Sequence, residues 1–299
     1  MTARMRSSVE PAPPSAEGRA SSGSFDGEDP PSRDRIEACV HCGFCLPSCP
    51  TYVLWGEEMD SPRGRIHLAK MALDGEVPLD EDFQKHFDNC LGCMGCLTSC
   101  PSGVEYDVIL EATRAQLERN VPRSSADRAF RRLVLAWLSN RRWLRVAAVL
   151  AWLGRVTGAR ALARWLSGRG RLSPRLAALV ALAPRISLRR ALRAPPCPPF
   201  SVEAPRARAV MLEGCVQSVF FAGTNDATRR VLAAEGVEVM PAPEQGCCGA
   251  LDLHAGAAER ARGRARALVE ELSKVEADYV VVNAAGCGAA LRTVHRLFA

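Results

Sequence analysis

The feature that most constrains this chain is a four-cysteine run that occurs twice. The first copy is Cys39-x2-Cys42-x2-Cys45-x3-Cys49-Pro50 and the second is Cys90-x2-Cys93-x2-Cys96-x3-Cys100-Pro101. Thiolates hold a 4Fe–4S cluster at this spacing. Three cysteines three residues apart in a curling loop can aim their sulfurs at three irons of one cube. Gly43, Gly92 and Gly95 leave room for the loop to wrap, and the proline after the fourth cysteine turns the chain away. In two-cluster ferredoxins the fourth cysteine of each run ligates the other cluster. The expected ligands are therefore Cys39, Cys42, Cys45 and Cys100 for cluster I, and Cys90, Cys93, Cys96 and Cys49 for cluster II. Zinc sites use two paired ligands rather than a repeated run of four with proline. A disulfide scaffold spreads its cysteines through a small secreted domain. With all four ligands present, His41 inside the first loop reads as a neighbour of the site, not a ligand.

The chain has 299 residues, enough for roughly two domains. At 47% hydrophobic and 24% charged, it has an ordinary globular balance. The longest uncharged apolar runs in its middle, Val146–Gly154 and Leu176–Pro184, are nine residues each. A membrane-spanning helix needs about 20. Residues 1–33 are rich in Ser, Pro, Gly, Arg and Glu, hold one aromatic (Phe25), and read as a disordered tail. They contain no apolar secretory signal, so a cytoplasmic protein is expected.

The expected fold class is α+β with several domains. Residues 34–120 form a mostly helical two-cluster ferredoxin-like domain. Ser61-Pro62 reads as an N-cap before a helix over Arg63–Leu73, and Val104–Leu117 as a second helix. Residues 121–205 form a basic helical segment that ends in a proline-rich linker with the lone Cys197, which carries no expected chemistry. Arg123–Arg193 holds seventeen arginines, no lysine and one acid, Asp127, against a net charge of +6 for the whole chain. With Trp137, Trp143, Trp152 and Trp165, this segment reads either as a membrane-surface element or as packing helices with an arginine-rich solvent face. No nucleic-acid-binding motif accompanies the charge, and no nucleic-acid partner is expected.

Residues 206–299 read as a three-layer α/β module with a parallel sheet. Its expected strands are Ala207–Leu212, Val237–Met240 and Asp278–Asn283. Its expected helices are Asp226–Ala234, Ala255–Leu272 and Ala289–Phe298. A third cysteine set lies here: Cys215, then thirty-one residues, Cys247-Cys248-Gly249, then thirty-seven residues before Cys287. The strand assignment puts all four cysteines at the carboxyl ends of the strands, where open parallel sheets bind ligands. Their occupant is a third iron–sulfur centre or a dithiol. No dinucleotide fingerprint with strand, turn and helix in place occurs in the chain.

The stretches Cys39–Tyr52, Asp60-Ser-Pro-Arg-Gly-Arg-Ile66, Cys100–Val104, Met211–Cys215, Gly246–Gly249 and Gly286–Gly288 resemble the iron–sulfur subunit of glycolate oxidase (glycolate dehydrogenase). The resemblance implies an electron-transfer subunit. A partner subunit oxidises glycolate to glyoxylate on FAD, and this chain passes the electrons on towards quinone at the membrane. The C-terminal part is similar to the cysteine-rich module of heterodisulfide reductases, which implies the alternative of a thiol–disulfide reductase. An iron–sulfur subunit of a lactate or glycerol-3-phosphate dehydrogenase is the further alternative. No catalytic residue is expected on the chain itself. Near the clusters, Arg63 and Arg65 read either as positive charges that favour the reduced state or as surface residues without effect. Two departures accompany the resemblance. The family usually carries two such C-terminal modules, of which this sequence contains one. The motif's last pair is Cys-x-x-Cys, whereas here Ala290 follows Cys287, so a fourth ligand there has to come from elsewhere.

Overall fold

A computed structural model describes residues 24–182 and 202–298. Residues 1–23 of the expected tail, and the proline-rich linker with Cys197, lie outside them. The described residues divide into two compact units. One holds residues 24–128 with Leu251–Ala261, and the other holds 129–182, 202–250 and 262–298. The layout is α+β, and 60% of it is helical.

The first unit is built from short helices: α1 (Arg33–Glu37), α2 (Pro50–Trp55), α3 (Pro62–Leu73), α4 (Glu81–Asn89), α5 (Gly95–Thr98) and α6 (Tyr106–Asn120). The start of α3 is set by its sequence. The Ser61 hydroxyl accepts the Gly64 amide at 2.9 Å, and Pro62 occupies the first turn, where its missing N–H costs nothing. Asp80 caps α4 in the same way, accepting from the Phe83 amide at 2.9 Å. Ile36, Ile66, Phe83, Phe87, Ile109, Leu110 and Leu117 form the core between these helices. Each such side chain contributes about 1.5–3 kcal/mol on burial. Gly64 is required by close approach: a Cβ there would sit 1.9 Å from the Glu58 carbonyl oxygen.

Residues 24–33 are not a free tail. Phe25 is only 4% exposed and packs edge-on against Phe83, with ring centroids 6.4 Å apart. The Ser24 amide donates to the Ala72 carbonyl at 2.8 Å, and its hydroxyl donates to the Val77 carbonyl at 2.7 Å. Asp26 accepts from Gln116 Nε2 at 2.8 Å, Arg119 Nε at 3.1 Å and Asn120 Nδ2 at 2.7 Å, all on α6. Composition averages over such a segment. One aromatic and one carboxylate that find matched partners are enough to order it.

The second unit carries α7 (Ser125–Leu138), α8 (Arg141–Val156), α9 (Ala159–Gly168), α10 (Pro174–Leu182), β1 (Ala207–Leu212), α11 (Cys215–Phe220), α12 (Ala222–Ala234), β2 (Val237–Met240), α13 (Ala250–His254), α14 (Ala258–Ser273), β3 (Tyr279–Val282) and α15 (Ala285–Arg292). The first residues of α7 and most of α13 cluster with the first unit. The three strands form a parallel sheet in the order β2-β1-β3, with Ala207 opposite Val237 and Ala209 opposite Tyr279. The last helix begins at Ala285, earlier than its apolar pattern suggests, and a 3-10 turn at Val294–Leu297 follows it. The boundary expected at residue 205 falls inside this unit. Leu144 and Ala148 of α8 pack on Cys215, Val219 and Cys247, because a stripe of apolar and small residues lets the two helices approach closely.

The Asp26 clasp has a pH signature. The Arg119 guanidinium holds the Asp26 carboxyl well below its ordinary value. A carboxylate whose pKa is lowered by folding stabilises the fold above its unfolded value, near 4. That contribution is lost as pH falls towards the folded value. Hydrogen-exchange protection of Ser24–Asp29 should therefore begin to fall below about pH 4 and decline further with acid, and Asp26→Asn should lower it already at neutral pH.

Candidate metal centres

Two cavities open in the first unit. The first, about 410 Å³ measured out to its mouth, is lined by Cys39, Cys42, Cys45, Cys96 and Cys100. The second, about 320 Å³, is lined by Cys49, Cys90, Cys93 and Cys96. Each cavity thus includes the first three cysteines of one run and the fourth of the other, and Cys96 borders both. The runs are tied together beside these residues: Ser48 and Ser99, each just before a fourth cysteine, share a 2.7 Å hydrogen bond. Cys42 and Cys93 lie at the surface, whereas Cys49 and Cys96 are buried. Burial raises the thiols of Cys39 and Cys45 and pushes Cys96 up to about 12. Thiols in such surroundings stay protonated unless a cation compensates the thiolates. Four sulfurs around a cavity, with their charge left to an occupant, fit an iron–sulfur cluster.

Arg63 and Arg65 differ sharply. Arg63 lines the first cavity, donates to both Glu58 carboxylate oxygens at 2.6 and 3.2 Å, and reaches the His41 carbonyl at 3.2 Å. A Cβ on Gly43, at φ +85°, would meet that guanidinium at 2.8 Å. His41 lies in the cavity wall, edge-on to His67 at 5.7 Å. Arg65, expected at the surface, is fully buried in the wall of the second cavity. It donates to Asp60 Oδ1 at 3.0 Å and to the His86 carbonyl at 2.6 Å. Asp60 also accepts from Asn89 Nδ2 at 3.2 Å and meets His86 Nδ1 at 3.2 Å. Thr51, two residues after Cys49, donates its hydroxyl to the Asp60 carbonyl at 2.7 Å and has that oxygen 3.2 Å from the Cys49 sulfur. A charge is buried here because every lobe of the guanidinium has an acceptor.

Sequence reasoning missed Asp60, His86, Asn89 and Thr51, and it missed two residues on α6. Arg114 donates to the Cys90 carbonyl at 2.6 Å and to the Phe87 carbonyl at 2.8 Å, which holds the entry to the second run. Tyr106 is buried, lines both cavities, and donates its hydroxyl to Cys90 Sγ at 3.5 Å. The available signal was the position of these residues one or two turns from a ligand loop.

In the second unit the third cysteine set converges. Cys215 opens α11 directly after β1, Cys247-Cys248 follow β2, and Cys287 lies in α15 after β3. Cys215 and Cys247 sulfurs are 3.7 Å apart, and Cys248 is hydrogen-bonded to Cys247 and Cys287. Donation from Cys215, then from Cys248, holds the Cys247 thiol down, and Arg264 adds to this; donation from Cys248 holds Cys287 down. The donors Cys215 and Cys248 are pushed up correspondingly. Ala290 packs in the same apolar cluster as Cys248 and Cys287, so one methyl stands where the motif's last thiol would be. A polar frame holds the strand ends. Glu213, 7% exposed, is paired with Arg229 and with Arg141 at 3.4 Å. Its amide donates to Gln245 Oε1 at 2.8 Å, its carbonyl accepts from Asn225 at 3.2 Å, and Asn283 donates to Asn225 at 2.9 Å.

Comparison with known proteins agrees with both halves of this description. Residues 35–104 match the 4Fe-4S dicluster domain family, and residues 209–292 match the cysteine-rich domain family. Iron–sulfur clusters are thus the cofactors of this chain. The chain is 40% identical over 260 residues to the glycolate oxidase iron-sulfur subunit of Escherichia coli K12, covering 85% of this chain and 57% of that protein. It is 36% identical over 256 residues, with the same coverage, to a Bacillus subtilis 168 protein named "Probable glycolate oxidase iron-sulfur subunit". A shorter match, 30% over 97 residues (27% of this chain and 24% of the relative), is to one polypeptide of the dihydromethanophenazine:CoB–CoM heterodisulfide reductase of Methanosarcina mazei. The chain therefore spans a little over half the length of the first two relatives. No solved structure is a significant match.

The Arg65–Asp60 pair can be weighed by substitution. Arg65→Met keeps most of the stem but leaves the Asp60 carboxylate buried against His86 and Asn89. Breaking one side of a buried pair costs about 3–5 kcal/mol. Anaerobic urea denaturation of the full chain should show a loss of that size. The double variant Arg65→Met, Asp60→Asn should recover part of it.

Proposed function

We propose that this chain, which belongs with the glycolate oxidase iron–sulfur subunits it resembles over most of its length, relays electrons within a 2-hydroxy-acid-oxidising complex. Glycolate is the substrate we favour, oxidised to glyoxylate on an FAD-bearing partner subunit. The observation that carries the reading is the pair of cavities, each of which includes the first three cysteines of one run and the last of the other, with Cys96 bordering both. We assign Cys39, Cys42, Cys45 and Cys100 to one 4Fe–4S cluster and Cys90, Cys93, Cys96 and Cys49 to the other. When bound, such clusters take up and release one electron at a time. The protein's part is to hold the ligand loops, exclude water from the deep sulfurs, and present the cluster edges. Exposed Val40 and Phe44 beside Cys42, and Leu91 near Cys93, suit brief docking of a redox partner over those edges.

The convergence of Cys215, Cys247, Cys248 and Cys287 supports a third iron–sulfur centre in the second unit, held by these four cysteines without a thiol at residue 290. A reducing cytoplasm, which keeps thiolates available to iron, suits this cysteine usage.

We further assign the electron exit to the membrane surface, towards quinone. No single described helix is long and apolar enough to cross a bilayer. The outer stripe of α8 supports a surface role: Trp143, Val146, Leu150 and Leu153 recur at helical spacing and are exposed, opposite the buried Leu144 and Ala148. Leu162 and Trp165 of α9 are also exposed, and Arg169 stacks on Trp165 at 3.7 Å. Residues 129–182 hold eleven arginines and neither acid nor lysine. Apolar and tryptophan side chains flanked by arginine suit the interface of an anionic bilayer.

Two measurements test this reading. Anaerobically reconstituted protein should carry about eight iron and eight sulfide per chain in the two cubes, with reduced-cluster magnetic resonance after dithionite. Cys100→Ser should remove about four of those irons and leave Cys90→Ser-sensitive signal intact; loss of the opposite cluster would refute the exchanged ligation. Iron beyond about eight that Cys248→Ser removes would report the third centre. Separately, the protein should pellet with vesicles containing anionic lipid and be released by salt. Equal pelleting with neutral vesicles would count against the surface role.

A further inference from the structure

We infer that Tyr106 is a positioning residue whose hydroxyl raises the midpoint potential of the second centre alone, although its ring borders both. This rests on the reading that clusters fill the two cavities. Tyr106 is the first residue of α6 and only 4% exposed. With Pro62 and Cys96 it lines both cavities, so its ring is part of the partition between them. The hydroxyl, however, is aimed to one side: it donates to Cys90 Sγ at 3.5 Å. Cys90 lines the second cavity and not the first.

A hydrogen bond to a ligand sulfur draws electron density from the thiolate and favours the more negative, reduced state of the centre that the thiolate holds. Tyr106 is well placed to do this with a side chain. Thr51, the hydroxyl near Cys49, commits its one proton to the Asp60 carbonyl at 2.7 Å. At the first cavity Cys100 Sγ is met by a backbone donor, the Val104 amide, at 3.5 Å. The potential of the second centre is therefore open to change at one side-chain oxygen, with the partition left in place.

Tyr106→Phe removes that oxygen and keeps the ring. In the reconstituted full chain, redox titration followed by magnetic resonance should show, of the midpoints of the two first-unit centres, one shifted to lower potential and the other unmoved. Cys90→Ser and Cys42→Ser, which disturb ligands of the second and first cavities respectively, identify which signal belongs to which centre. The shifted midpoint should be the one lost in Cys90→Ser. Iron and sulfide content should stay at the parent value, since a merely structural role for Tyr106 would lower occupancy rather than move a potential. Unmoved midpoints in a fully loaded Tyr106→Phe protein, or a shift in the centre that Cys42→Ser removes, would overturn the inference. A parent protein that holds no iron would instead overturn the cluster reading itself.

Discussion

The first unit depends on a guanidinium buried without access to water. Arg65 has acceptors from three separate stretches of chain: the Asp60 carboxylate before α3, the His86 carbonyl in α4, and the Thr51 hydroxyl at 3.4 Å in α2. An unmatched charge at that depth would be far more costly than the net gain of any one of these bonds. The chain must therefore bring all three stretches together, and in doing so it sets the wall behind Cys49 and Cys90. The adjacent Gly64 serves the same closure, because its missing Cβ lets α3 lie against the Glu58 carbonyl. The Ser-Pro-Arg-Gly-Arg segment is thus one device: a cap, a helix start, one arginine for each cavity and a point of close approach.

The second unit solves a similar problem with different groups. Its cysteines come from three strand ends, so the site is only as well defined as the relative position of those ends. Parallel pairing aligns the strands, and Glu213 with Gln245, Asn225, Asn283 and two arginines stitches the connections that follow. A buried hydrogen-bond network of this kind orients neighbouring groups more firmly than apolar packing does. Sulfurs that hydrogen-bond to one another split into donors and acceptors, which is how four chemically identical thiols acquire opposite shifts.

The arginine-rich helices show why composition alone left two readings open there. On α8 one face is core and the opposite face is exposed and apolar. Leu144 and Ala148 are core, and Trp143, Leu150 and Leu153 are exposed. A helix apolar on two sides cannot be assigned to packing or to a surface until one side is seen to be covered. Even then, the stacking of Trp137 on Trp143 at 5.3 Å shows aromatic residues of this segment meeting one another as well as solvent.

Much of this protein was legible in one dimension. Ligand spacing, the Ser61 cap, three strands placed within a residue or so of their observed bounds, and the gathering of Cys215, Cys247, Cys248 and Cys287 are local or periodic properties, and local backbone geometry enforces them. Other features were illegible for a common reason: they depend on pairs far apart in sequence. Phe25 meets Phe83, Asp26 meets α6, Asp60 meets Asn89, and Glu213 meets Arg141 and Arg229. The sequence by itself determined which cysteines carry cluster-ligand spacing, because thiolate spacing is a matter of bond lengths and loop reach. Only the tertiary structure decided which cysteines share a cavity, which arginine is buried, and where Tyr106 points. Those outcomes follow from packing and from pairing buried donors with acceptors, and both are properties of the whole fold.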